Sequence, residues 1–222
     1  MQKGRINRIR GDFYTIVPLE YQASGSLSAA WFIDEFMQHL EQPYYCGLLT
    51  AAALLGVAHQ QPMIFQVVTT KQMRSIEAGN LHIEFIHKKT IKPYFYQIVK
   101  TATGSTNVAT PEINAFELVH YMRVAGHINH VATVLCELVS QLQPKKLAQL
   151  VESGDVKVTT SQRLGYLLDS LNLSIDLQPL EQALKPKKPT QRLLVTDVDQ
   201  PILGHNRRWH ILVNESVVPD EL

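Results

Sequence analysis

Apolar and polar positions alternate over the first eighteen residues. In GRINRIRGDFYTIVP, Ile6 and Ile9 flank Asn7 and Arg8 ahead of a Gly11-Asp12 turn, and Phe13, Thr15 and Val17 then oppose Tyr14 and Ile16. That pattern predicts a short β-hairpin whose first strand is basic. A polar stretch from Pro18 to Ser26 follows, and Ser26 or Ser28 can cap a helix starting near Leu27. In LSAAWFIDEFMQHL the apolar residues Trp31, Ile33, Phe36, Met37 and Leu40 recur mostly every three or four positions, which is the period of an amphipathic helix. YYCGLLTAAALLGVA is apolar nearly all round, so the expectation is a buried, central second helix.

After Pro62 the period shortens. MIFQVVTT reads as a buried strand and LHIEFIHKK alternates cleanly, while YFYQIVKTATG and STNVAT supply two more strands around Gly104. Thr110-Pro111-Glu112 is a helix start with cap, proline and first-turn acid in order. The expected helix runs to about Tyr121. HINHVATVLCELVSQL adds another, with Ile128, Val131, Val134, Leu135, Leu138 and Leu142 on its buried stripe; PKKLAQLVESG and TTSQRLGYLLDSLN add two more. KPKKPT reads as a turn or linker, and RLLVTDV and RWHILVNES as strands. The expected fold class is α+β: a mixed sheet of about four strands packed with several helices, preceded by the hairpin. The expected domains are 1–23 and 24–222, with 155–222 as a candidate C-terminal subdomain.

Charge adds a local feature that the global count hides. The 222 residues hold 21 Lys plus Arg against 20 Asp plus Glu, a net charge of +1 that excludes a generally basic nucleic-acid binder. Yet Lys3, Arg5, Arg8 and Arg10 lie within the first ten residues with no acid among them. A two-stranded ribbon carrying such cations can lie along a phosphate backbone; the bland counterpart is a solvated edge strand that resists sheet association. Cys46 and Cys136 stand apart in apolar stretches, so neither a disulfide framework nor a cysteine zinc site is expected, and a reducing cytoplasm fits. The longest nearly apolar run, from Cys46 to Ala58, is shorter than the ~20 residues a bilayer requires.

Catalytic signatures are absent: there is no GxSxG, HExxH, GxxxxGK[ST] or GxGxxG. His120, His127 and His130 cluster in sequence without a complementary acid or thiol, so they read as satisfied polar histidines instead of metal ligands. A metal-dependent nuclease would need acids at a strand turn, and MIFQVVTT has none. Glu84 and Lys88 share a strand face but lie about 13 Å apart at ~3.3 Å per residue. No catalytic residue, metal or cofactor is therefore assigned.

The order of segments is more specific than any one of them. KGRINRIRGDFYTIVP, WFIDEFMQHL, PYYCGLLTAAALLGVAHQQP, FQVVTT and STNVATPEINAFELVHYMRVAGHINHVATVLCEL together resemble the AbiEi family of antitoxins and transcriptional regulators from type IV toxin–antitoxin systems. The resemblance implies a winged helix-turn-helix joined to an antitoxin domain, a nucleotidyltransferase-like toxin as functional partner, and autoregulation through operator DNA. It makes residues 3–17 the wing, with Lys3, Arg5, Asn7, Arg8 and Arg10 facing DNA. In that family helices precede the wing, whereas only Met1 and Gln2 do so here; the expectation is an incomplete module, either because the chain starts late or because it keeps only phosphate contacts without base readout, with weak, salt-sensitive binding by this chain. Two other classes compete with this reading: a metal-dependent or degenerate nuclease fold, and an interaction domain that homodimerises through the exposed face of the 127–142 helix.

Overall fold

The computed structural model describes residues 6–19, 27–57, 62–196 and 200–220. The hairpin forms as its alternation predicts: β1 (Ile6–Arg10) pairs antiparallel with β2 (Phe13–Ile16) around the Gly11-Asp12 turn. Its register sets Ile6 against Ile16 and Arg8 against Tyr14, then shifts so that Arg10 faces Phe13. The irregularity falls at Ile9, which is buried while Ile6 is exposed.

The chain divides into two compact units, residues 1–110 and 111–222. In the first, a 3-10 turn (Ala29–Trp31) leads into α1 (Ile33–His39), which buries Ile33, Phe36 and Met37. Ser28 precedes that turn without a side-chain capping bond, and Ser26 lies outside the described residues. A six-stranded mixed sheet follows in the order β5-β6-β4-β3-β8-β7. Its strands are β3 (Tyr44–Cys46), β4 (Phe65–Thr69), β5 (Ile76–Ala78), β6 (Leu81–His87), β7 (Tyr96–Lys100) and β8 (Ser105–Ala109). The four expected strands are all present, joined by β3 and β5.

The sequence reading of one helix from Tyr44 onward is corrected here. Residues 44–46 are the strand that joins β4 to β8, antiparallel to the first and parallel to the second, and the helix α2 covers only Leu48–Leu54. An apolar run buried on both sides carries no periodicity that separates strand from helix. The corner between them is made by Leu48 at φ 52, while Gly47 beside it is extended at φ −122. Because strand side chains alternate, the Tyr44 hydroxyl reaches α1 and donates to Asp34 Oδ1 at 2.7 Å, while Tyr45 on the other face stacks on Tyr96 at 6.2 Å.

The described residues of the second unit form five α-helices, α3 (Pro111–His120), α4 (His127–Leu138), α5 (Pro144–Glu152), α6 (Val158–Ser170) and α7 (Gln178–Leu184). α3 packs on α4 and α6, and α7 on α5 and α6. All six apolar residues of the expected 128–142 stripe are buried. A small sheet completes the unit in the order β10-β11-β9, from β9 (Arg192–Leu193), β10 (Gly204–Asn206) and β11 (Ile211–Val213). Of the two readings of KPKKPT, turn or linker, the structure has the turn: Lys185–Lys187 continue α7 as a 3-10 turn, and Lys187 Nζ donates to the Glu152 carbonyl at the end of α5. Glu112 stands in the first turn of α3 as expected; it is also buried, and its Oε1 accepts from the Gln143 N–H that opens α5.

Trp209 is the anchor of this unit. The indole lies against α6 at Gly165, where a Cβ would come within 2.3 Å of the ring. Its Nε1 donates to Asp169 Oδ2 at 3.0 Å, and Gln162 Nε2 donates to the Trp209 carbonyl at 3.0 Å. Arg208 donates to Asp169 Oδ1 and Glu181 Oε2, each at 2.9 Å. The β10–β11 turn is thus keyed into α6 and α7 by one large ring and four polar side chains, Arg208 of the turn and Gln162, Asp169 and Glu181 of the helices.

Candidate nucleic-acid interface

Among the described residues, one face of the hairpin packs on α1. Phe13 packs edge-on against Phe36 of α1 at 5.1 Å between ring centroids and also meets the His39 ring at 5.6 Å. His39 Nε2 bonds Asp12 Oδ1 at 3.0 Å, and this bond holds the Asp12 carboxyl below its usual range. Val17, Thr15 and Ile9 are buried beneath. The opposite face is open: Ile6 is 66% exposed, Tyr14 54% and Ile16 73%, with Arg8 between them.

Of the residues assigned to phosphate contact, Lys3 and Arg5 lie outside the described residues. Arg8 is exposed on the open face, opposite Tyr14, and its Nε donates to the Gly11 carbonyl at 2.6 Å. Arg10 turns sideways, and its Nη1 donates to the Arg74 carbonyl at 3.3 Å. Asn7 is half-buried opposite Thr15, on the side away from Arg8. The two described arginines therefore address carbonyl oxygens, which orient a guanidinium without cancelling its charge.

His120 and His130 have different partners. His120 Nδ1 bonds Thr160 Oγ1 at 3.2 Å, and His130 Nδ1 bonds Asp220 Oδ2 at 3.4 Å. Gly126, at φ 85, starts the turn into α4 and lies so close to His130 that a Cβ would meet its ring at 2.8 Å. Among the described residues no three His, Cys, Asp or Glu side chains converge as metal ligands. Cys46 is buried in β3 beside Thr106, and burial pushes its thiol up to about 12, well away from a nucleophile's range. Among the described residues no helix is long and apolar enough to cross a membrane.

Comparison with known proteins identifies the body of the chain. The family model of the AbiEi antitoxin C-terminal domain matches residues 45–170, more than half of the chain, from the middle of β3 to the end of α6. No curated protein matches. Among solved structures, the chain is similar in fold to the RV2827C protein from Mycobacterium tuberculosis, with a TM-score of 0.64 and 14% identity, over 94% of this chain and 75% of that one. The hairpin lies outside the matched residues, whereas the sheet strands β4 to β8 and the helices α3 to α6 lie within them. On that match, the chain belongs to the AbiEi antitoxin family, and its role is that of an antitoxin in a toxin–antitoxin system.

Proposed function

We infer that this chain is the antitoxin and autoregulator of a type IV operon, counteracting a nucleotidyltransferase-like toxin without catalysis of its own. The family match over residues 45–170 is the observation that carries the antitoxin role. The resemblance of residues 3–17 to a wing extends the reading to operator DNA. In this division of labour residues from 24 onward carry antitoxicity, and the hairpin supplies phosphate contacts through its cations. The lone open-face arginine of the described strand and the carbonyl-bound Arg10 support a weak electrostatic contact, since nothing in the hairpin forms a helix that could enter the major groove.

Co-expression with the toxin encoded beside it tests the first part. The full chain restores growth to a toxin-arrested culture, and a version with Arg8→Ala and Arg10→Ala restores it equally while losing repression of an operon reporter. Persistent arrest at matched expression of the full chain overturns the antitoxin assignment for that toxin. Unchanged repression in the double variant overturns the role of the hairpin.

A further inference from the structure

The six-stranded sheet of the first unit has two edges, and the chain treats them differently. At one, β1 of the hairpin lies against β5, and Arg10 Nη1 donates to the Arg74 carbonyl just before that strand begins. At the other, β7 pairs only with β8 among the described residues. Of the devices that keep an edge from pairing further, β7 has one cation, Lys100 at its end, and neither a proline nor a break in its register with β8.

The register decides which main-chain groups of β7 face outward. The Thr110 N–H donates to the Phe95 carbonyl and the Thr101 N–H to the Gly104 carbonyl, both at 2.9 Å, and these bonds bracket the ladder in which Ile98 stands opposite Asn107. In an antiparallel pair, residues that exchange hydrogen bonds alternate with residues that do not. Gln97 and Val99 therefore bond β8, as Phe95 and Thr101 do, and the N–H and C=O groups of Tyr96, Ile98 and Lys100 point away from it. Among the described residues nothing bonds those outward groups. Ile98 is 73% exposed, Gln97 and Lys100 are exposed beside it, and Tyr96 is half-buried against Tyr45.

We propose that β7 pairs antiparallel with β7 of a second copy of this chain, about a two-fold axis at Ile98. With Ile98 opposite itself, Tyr96 falls opposite Lys100 of the second copy, so every outward residue meets an outward residue and the two edges exchange about six main-chain hydrogen bonds. A slip of two residues in either direction leaves one outward residue of each strand without a partner. The side chains suit the same register, because opposed residues share a face. The exposed Ile98 side chain is covered by its own copy, and Lys100 lies beside the Tyr96 ring, a cation against an aromatic face. The two Lys100 residues are offset by about four positions, about 13 Å at ~3.3 Å per residue, which exceeds the Debye length of ~8 Å. No like charges are opposed. This contact uses neither the hairpin nor α4 and stands independently of the antitoxin and operator readings.

Sedimentation equilibrium of the full chain, loaded from about 5 to 200 µM, tests the pairing; a reversible dimer is expected, with the micromolar affinity of a small contact. Ile98→Lys sets like charges directly opposite one another and weakens the dimer by about fivefold or more. Ile98→Pro removes the outward N–H without touching a β7–β8 bond, and weakens it by about fivefold or more as well. Ser140→Arg, exposed just after α4, leaves dimerisation unchanged. In a Cys136→Ser background, Ile98→Cys is expected to form an intermolecular disulfide in air, since bonded antiparallel partners lie about 5.5 Å apart at Cα, whereas Lys100→Cys does not. Circular dichroism establishes that each variant is folded. The proposal is overturned by a monomer throughout that range, by a dimer that both Ile98→Lys and Ile98→Pro leave intact, by a dimer that Ser140→Arg dissociates, or by readier crosslinking at position 100 than at 98.

Discussion

Each unit of the chain carries a β-hairpin with arginines at or near its turn, and the two use them in opposite ways. In β10–β11 the Arg208 guanidinium is divided between Asp169 and Glu181, and the neighbouring Trp209 indole bonds the second oxygen of the same Asp169. The charge is answered by two carboxylates and the ring is buried against a glycine. In β1–β2 Arg8 and Arg10 bond carbonyl oxygens, and the turn carboxylate of Asp12 is engaged by His39. One hairpin spends its cation on the fold, while the other leaves its charge available to an outside anion. The count of Lys and Arg does not distinguish them; the acceptors do.

Substitutions in the second hairpin should dominate stability. Trp209→Ala removes a fully buried indole and its hydrogen bond to Asp169, with an expected cost of about 3–5 kcal/mol in urea unfolding followed by circular dichroism. A cost below about 1.5 kcal/mol would show that the ring is not the anchor. Gly165→Ala introduces a Cβ where the indole already sits and should cost about 1–3 kcal/mol. Combined with Trp209→Ala, that substitution should cost much less than the sum of the two, because the clash disappears with the ring. Additive losses would contradict the close approach.

Arg208→Ala should cost roughly 0.5–1 kcal/mol, since both its ion pairs are partly solvated. It should also change the acid limb. The Arg208 hydrogen bond holds the Glu181 carboxyl below its ordinary value of 4.5, so the pair stabilises the fold above that pH and the contribution fades as pH falls below it. The stability profile of the variant should accordingly be flatter from about pH 5 downward; an unchanged slope would mean that the bridge does not persist in solution. The smallest effect on stability is expected at the first hairpin. Arg8→Ala with Arg10→Ala should cost under about 0.5 kcal/mol, yet lower the salt slope for operator DNA by about 2. A large stability loss there would erase the contrast between the hairpins.

Much of the second unit was legible because its helices are one-sided. The 128–142 stripe repeats at three and four residues, and such a period specifies both the helix and its buried face. The first hairpin was legible at period two as to its strands and turn, including the division of Thr15 and Val17 from Tyr14 and Ile16; the alternation did not say which face is buried, and it grouped Ile6, which is exposed, with Ile9, which is buried. Elements buried on every side were harder. Residues 44–46 join β4 to β8 in the sheet but offer no polar face to set a period, and α3 hides Glu112, Asn114 and Glu117, which on pattern alone belong outside. The short elements β5, β10 and α7 have too few residues for any pattern to register.

The sequence by itself determined the local periods, the basic character of the first strand and the family to which the body belongs, because these depend on neighbours within a few positions or on the order of segments. Only the tertiary structure decided which cations face an acid and which face water. Arg208 meets Asp169 and Glu181 across 39 and 27 residues of chain. A charge acts over a few ångströms of space, and the chain alone does not specify which residues come that close.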